Sequence, residues 1–454
     1  MPQSKTRWGQ LLSFERCEDG LSDSTKKKRK KLSESSVAYL LIAPSLLLIL
    51  VIAIWPVIQS FYFSLFDMRL NNPTKSEVHT SHMIDLHRYL DNYFLLEGAI
   101  DKELDNASGG NEETLNSVKQ DLSTLDSSLL EDEEIKERYE IIDEKLMKFE
   151  KVGSKEKLVE VEKERAEDIQ ATLNDIKEKV NGLDELEDPK TVKGLSNALA
   201  DSVIKPNFIG FDHYAKNLTD KRMWMSIWNT VVFTVVSVAI ELVIGLMIAL
   251  LINKAFFGRG LVRASILIPW AIPTVVAALM WKFLYDGQNG IVAKIFQEIG
   301  LIDRMATLLT TDTGAMFSVI FADVWKTTPY MALLLLAGLQ TIPKSMYEAA
   351  AIDGANKWKQ FITITLPLLK TSILVALLFR TLDAFRVFDL IFVLTGGGPA
   401  NSTETISLLA YKVMIAQSNF GEGSALSVVV FICVAIISMI YISLLGRDLL
   451  DDKK

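Results

Sequence analysis

The chain has 454 residues, 49% of them hydrophobic, and a formal net charge of −8. The apolar residues gather in runs of twenty or more, which excludes an ordinary soluble protein of two or three domains, because a bilayer core of roughly 30 Å takes about 20 apolar residues. The charge is divided as sharply: residues 101–200 hold 28 acidic and 15 basic residues, a balance of −13, which leaves +5 for the rest. Two cysteines, Cys17 and Cys433, exclude a disulfide framework or a cysteine zinc site.

The first 36 residues form a basic tail with Lys26, Lys27, Lys28, Arg29, Lys30 and Lys31 in one cluster. The apolar run Val37–Phe66 is about twice the 7–15 residues of a signal-peptide core and reads as a retained span. Five more spans follow at Trp228–Ile252, Ala264–Leu284, Ala315–Leu339, Leu368–Leu394 and Ala425–Leu445. Arg259 and Arg263, then Lys344, Lys357 and Lys359, fall on the same side as the basic tail, so the positive-inside rule puts both termini in the cytoplasm. Trp55, Trp224, Trp228 and Trp281 sit where an aromatic belt is expected.

That topology leaves residues 67–205 outside. Ile135, Tyr139, Ile142, Leu146 and Phe149 recur at 4-3-4-3 spacing, as do Ile169, Leu173, Ile176, Val180 and Leu183. Such stripes predict helices packed in an antiparallel bundle or a coiled-coil hairpin, with breaks at Gly109-Gly110 and Gly153-Ser154. His79, His82, His87 and Asp85 open the insert at a spacing that specifies no metal site. The fold expected is an all-α membrane protein: a tail (1–36), a first span (37–66), an acidic helical insert (67–205) and a five-span core (206–454).

Ionisable residues inside spans default to function. Span four carries Asp323 and Lys326, with Thr327 and Tyr330 beyond; span five carries Arg380, Asp383, Arg386 and Asp389 at three-residue steps, a spacing that allows the pairs Arg380–Asp383 and Arg386–Asp389. Asp323, Lys326, Thr327, Tyr330, Arg380 and Asp383 are therefore candidates for a polar solute path, or for ion pairs that hold spans together. Glu241, inside span two, is expected to meet an arginine or a backbone group.

Between spans four and five lies a charged amphipathic segment, EAAAIDGANKWKQFITITLP, on the predicted cytoplasmic side. It predicts a short helix after Pro343 with Glu348 near its start, where negative charge is favoured, a turn at Gly354, and a second short helix meeting span five at Pro367. Glu348-Ala349-Ala350, three residues, Gly354, nine residues, Ile364, one residue and Leu366-Pro367 together resemble the EAA motif of the membrane subunits of bacterial ABC importers. Residues 206–252 and the segments ILIPWAIPTVVAALMWKFLYDGQNGI and FDLIFVLTGGGPANSTETISLLAY resemble carbohydrate-type, maltose-permease-like members of that family. The acidic helical insert departs from the pattern.

The resemblance implies a multi-pass permease subunit of a bacterial inner membrane with a periplasmic insert. It forms half of a translocation path for a sugar or related polar solute, with a homologous second permease supplying the other half. Two ATPase subunits would grip the loop 344–367 through Glu348, Ala349, Ala350, Asp353, Gly354, Ile364 and Pro367. A solute-binding protein would dock outside near Gly396, Gly397, Gly398 and Pro399. No GxxxxGK[ST] phosphate-binding loop occurs in the chain. ATP and Mg are thus expected on the partner ATPase, and no catalysis, cofactor, metal or nucleic-acid partner is expected here. Buried Arg and Lys suit a phosphorylated or acidic cargo as well as a neutral sugar. The rival readings are a membrane sensor with a helical outer domain, which would need a cytoplasmic signalling module, and an ion-coupled carrier using the intramembrane charges.

Overall fold

A computed structural model describes residues 34–105, 110–184 and 186–451. The basic cluster, Cys17 and Gly109 lie outside the described residues. Residues up to Pro56 and residues from Val57 onward are two separate units.

In the first unit, Glu34–Ile49 is helical and is followed by a wide turn at Leu50–Ile54; the helix Trp55–Phe63 spans the boundary between the units. The apolar stretch Tyr39–Phe63 is long enough to cross a membrane.

In the second unit, four further helices meet that requirement: Lys221–Asn253, Asp312–Leu339, Lys357–Phe385 and Phe420–Leu445. They correspond to spans two, four, five and six. Span three differs from the straight helix expected. It is two helices, Arg259–Ala271 and Thr274–Leu284, bent by 88°. The break falls just before Thr274, at Pro273, which has no N–H to give and clashes with the preceding turn.

Span five also differs. Its helix begins in the loop at Lys357, runs through a wide turn at Phe361–Thr365 and ends at Phe385, and a separate helix covers Asp389–Leu394. Pro367 does not separate two helices. It sits at one of the first positions after the wide turn, where a missing N–H costs little. A shorter apolar helix, Ile406–Ala416, precedes span six. Trp281 is not a belt residue: it is 5% exposed and packs edge-on to Phe321 and Trp325. Trp55, Trp224 and Trp228 are exposed.

The insert is helical but not a simple hairpin. Helices Leu86–Leu104, Gly110–Leu129, Glu133–Met147, Lys163–Asn181 and Pro189–Ala200 surround one apolar core. A three-stranded antiparallel sheet, not anticipated, ties its ends together. Strand β1 (Met83–Asp85) lies between β2 (Leu158–Glu160) and β3 (Val203–Ile204), with Ile84 opposite both Val159 and Val203. Strand β3 returns the chain beside the strand that left, so the insert closes on itself next to its two connections.

Both stripes face this core, with one exception. Ile135, Tyr139 and Ile142 are buried and Leu146 is partly so, whereas Phe149 is 98% exposed. The helix stops at Met147 and Phe149 takes a left-handed backbone, φ 55°. The N–H of Glu150 reaches the Lys145 carbonyl at 2.8 Å, and that of Phe149 the Leu146 carbonyl at 3.0 Å. This is the Schellman ending, which normally uses glycine. Phe149→Gly is expected to stabilise this helix end by about 1 kcal/mol, since the left-handed strain is relieved. Hydrogen exchange on the full chain reads this as slower exchange across residues 133–150.

Inside the insert, Tyr89 and Tyr139 donate to Asp126 Oδ1 at 3.3 and 3.1 Å. Burial raises the Asp126 carboxyl above its ordinary value despite those donors. A raised folded-state value means that stability from this group is complete below the ordinary carboxylate pKa and is lost as pH rises through the folded value. Asp126→Asn is expected to keep both tyrosine contacts and to flatten the pH dependence of insert unfolding over that window, as read by exchange rates at acid and neutral pH.

Candidate functional site

Spans two, four and five bring ionisable side chains together in one cluster. Glu241 (span two) is fully buried, Asp323 (span four) is 6% exposed and Arg380 (span five) is 1% exposed. Arg380 Nε and Nη2 bind the two Glu241 oxygens at 2.5 and 2.9 Å, in the bidentate geometry that suits a guanidinium. Nη2 also binds Asp323 Oδ2, and Nη1 reaches Asp383 Oδ2 at 3.2 Å. The Thr327 hydroxyl lies 2.7 Å from both Glu241 Oε1 and the Asp323 carbonyl. One arginine thus joins span five to spans two and four through two carboxylates, with a third carboxylate, Asp383, from its own span.

Asp323, Thr327, Arg380 and Asp383 of this cluster form part of the wall of a cavity of about 530 Å³, with Glu241 behind it. Of the six side chains predicted for the path, Asp323, Lys326, Thr327, Arg380 and Asp383 line it; Tyr330 does not. Tyr330 instead stacks on Trp270, a cavity residue, at 5.6 Å between ring centroids. The remaining lining comes from Thr274 at the start of the second half of span three, from Ala384 near the end of span five and from Arg386–Leu390 at the break after it. The two readings of the charges, path lining and ion pairing, therefore apply to the same residues. The expected Arg386–Asp389 pair is absent: the helix ends at Phe385, so three-residue spacing no longer brings the two together, and Arg386 Nε donates to the Leu382 carbonyl at 3.1 Å. Trp270, Thr274 and Phe388 carried no sequence signal, because their positions depend on helix breaks.

The loop 344–367 has a defined shape. Its first helix is Lys344–Ile352, so Glu348 stands in its middle rather than in the first turn, and the favourable dipole position expected for it is not realised. Asp353 follows as the C-cap and Gly354 takes φ 79°. The N–H of Ala355 bonds the Ala350 carbonyl at 2.9 Å and that of Gly354 the Ala351 carbonyl at 3.1 Å, a Schellman ending that favours glycine at the left-handed position. Asn356 caps the helix that starts at Lys357. Tyr347 and Thr365 hydroxyls meet at 3.0 Å and pin the two arms together. Ile364 packs against the core, while Glu348, Ala349, Asp353, Gly354 and Pro367 are exposed and Ala350 is half-buried. Ile352 and Trp358, 87% and 69% exposed, add an apolar edge.

The glycine loop after span five is held from behind. Glu404 is fully buried, bound by Arg222 Nε and Nη2 at 2.7 and 2.9 Å and by Lys412 Nζ at 2.8 Å. Burial alone would raise the Glu404 carboxyl, but these two cations hold it below its ordinary value. Gly396 and Gly397 have φ 62° and 88°. Gly397 is buried, Gly398 and Pro399 are half-buried and only Gly396 is exposed, so Gly397 shapes the loop rather than presenting a surface.

Removing one partner of a buried, hydrogen-bonded ion cluster strands the others, at about 3–5 kcal/mol. Arg380→Met is therefore expected to destabilise the membrane core strongly, and the double change Arg380→Met with Glu241→Gln to recover part of the loss. Thermal unfolding of the purified chain in detergent checks both.

Residues 241–453 match a family described as binding-protein-dependent transport system inner membrane component. The chain is similar to the trehalose/maltose transport system permease protein MalF of Thermococcus litoralis, with 46% identity over 53% of this chain and 80% of the relative. It is similar to the trehalose transport system permease protein SugA of Mycobacterium tuberculosis, at 44% over 53% and 75%. A third relative is the sulfoquinovosyl glycerol transport system permease protein SmoG of Agrobacterium fabrum, at 39% over 54% and 79%. Among solved structures, a bacterial ABC transporter that imports the acidic polysaccharide alginate aligns at 24% identity with a TM-score of 0.48, over 53% of this chain and 84% of that one.

Proposed function

Because this chain belongs to the binding-protein-dependent transport inner membrane component family, as a carbohydrate ABC importer permease, we propose that the 530 Å³ cavity is its half of a sugar path and that the loop 344–367 couples that path to an ATPase. A second permease supplies the other half, two ATPase subunits carrying ATP and Mg grip the loops, and a solute-binding protein delivers cargo near Gly396. The loop faces the cytoplasm, as do both termini, and the insert lies on the opposite side.

One observation carries this reading: the helix that begins in the loop at Lys357 is the same one that holds Arg380. The first arm of the loop follows span four, which holds Asp323, by four residues. A partner gripping the exposed face around Glu348 therefore pulls on both sides of the Arg380–Asp323 pair at once. The short loop helix and the span-five helix stay at a fixed angle because Gly354 closes the first, Asn356 caps the second and Tyr347–Thr365 joins them. Displacement at the loop then reaches the cavity with little lost to bending, and nucleotide-driven closure changes the population of cavity states.

The polar walls suit hydroxyl-rich cargo, and the volume lies within the roughly 300–1,000 Å³ of small-ligand sites. Trehalose and maltose, named for the relatives, are the first probes.

In cells that make the complete importer, the paired change Glu348→Lys and Gly354→Arg is expected to abolish uptake of radiolabelled trehalose or maltose and to reduce co-purification of the ATPase. Full assembly and full uptake would sink the coupling role. Deleting residues 75–200 is expected to impair uptake while sparing ATPase association; unchanged uptake would remove any role of the insert in receiving cargo.

A further inference from the structure

Lys326 stands apart from the other buried charges. It is 7% exposed and lies one turn from Asp323, yet among the described residues it makes no ion pair. Its ammonium points at backbone: Nζ donates to the Ile272 carbonyl at 2.9 Å and approaches the Trp270 carbonyl at 3.4 Å. Both carbonyls belong to the 88° bend of span three. At a helix end the last carbonyls have no donor one turn further on, and here Pro273 and the start of a new helix at Thr274 remove the continuation. A buried ammonium placed there satisfies them with charge-assisted bonds.

One turn along span four, Tyr330 lays its ring on Trp270, with the planes 13° apart. The same face of span four thus holds the bend twice, once through backbone carbonyls and once through an indole. Trp270 and Thr274, on either side of the bend, both line the cavity. Span four continues from Tyr330 to Leu339 and then, after Pro343, into the loop helix that begins at Lys344.

We propose that Lys326 and Tyr330 are positioning residues that clamp the bend of span three, so that span four acts as the rod through which the loop sets the shape of the cavity wall. This rests on the importer reading for its purpose, but the clamp itself is a property of the chain alone. Lys326 both lines the cavity and holds the bend. A hydroxyl-bearing solute that drew the ammonium away from Ile272 would loosen the bend, which links occupancy to shape. Pro273 makes the break; the clamp selects its angle.

The test measures the bend without needing the cargo. Cys17 and Cys433 are replaced by alanine, and spin labels are placed at Leu261→Cys and Phe283→Cys, exposed positions on the two halves of span three. The full chain is put into lipid nanodiscs and distances are read by pulsed electron resonance. The parent is expected to give one narrow distance. Lys326→Met, which keeps the length but loses the charge and donors, is expected to broaden or split it. Lys326→Arg, still a cationic donor, is expected to restore most of the narrow population, and Tyr330→Leu to give a smaller broadening. If Lys326→Met does not fold, Tyr330→Leu and Lys326→Arg decide between them. Distances unchanged in Lys326→Met and Tyr330→Leu overturn the clamp. Loss of trehalose uptake in Lys326→Met with the narrow distance intact also overturns it, and makes Lys326 a solute contact only. A moved distance in a chain that carries no trehalose upholds the clamp and faults only the sugar assignment.

Discussion

The membrane core depends on one guanidinium. Arg380 is almost completely removed from solvent and meets Glu241, Asp323 and Asp383. Taking such charges out of water costs several kcal/mol per ion after relaxation, and apolar residues of the same volume would hold three helices together at least as well. The cluster is therefore poor as a stabiliser and good as a locator. Its hydrogen bonds are directional, so spans two, four and five are held in one register. Moving any of them breaks a bond whose partner is then left buried and unpaired.

Around this point the irregular parts of the backbone become intelligible. Span three is broken and span five stops early, and both interruptions border the cavity. Non-helical backbone at membrane depth is tolerated only where protein or a water-filled space satisfies its polar groups. Lys326 does so for Ile272, and Thr405 Oγ1 does so for the Val387 carbonyl at 3.2 Å. Regular helices elsewhere, span two above all, are long and unbroken where their outer faces need only lie against apolar surroundings.

The insert follows different physics. Its helices are strongly charged on the outside and depend on a contiguous apolar core of leucine, isoleucine and tyrosine. Glu103 accepts from the backbone N–H groups of Glu187 and Asp188, both at 2.8 Å, and so fixes the approach to the last insert helix. The short sheet places the departing and returning strands side by side, so the helical part of the insert leaves and returns at one place.

Much of this could be read from residues alone. Apolar run length located the spans and heptad-like stripes located the insert core, because these signals are local and periodic, and the spacing around Glu348 and Gly354 marked the loop 344–367. Intramembrane charge also named Asp323, Lys326, Arg380 and Asp383 among the cavity residues, since such charge is too costly to be incidental. What tertiary structure alone decided was partnership and direction. Arg380 turned to Glu241, 139 positions away, as well as to its neighbour Asp383; Arg386 lost its expected partner when the helix ended; Phe149 left the core; and Lys326 turned to backbone rather than to a carboxylate. Those outcomes follow from where helices break and which faces meet. Such contacts are long-range, and a one-dimensional pattern carries no term for them.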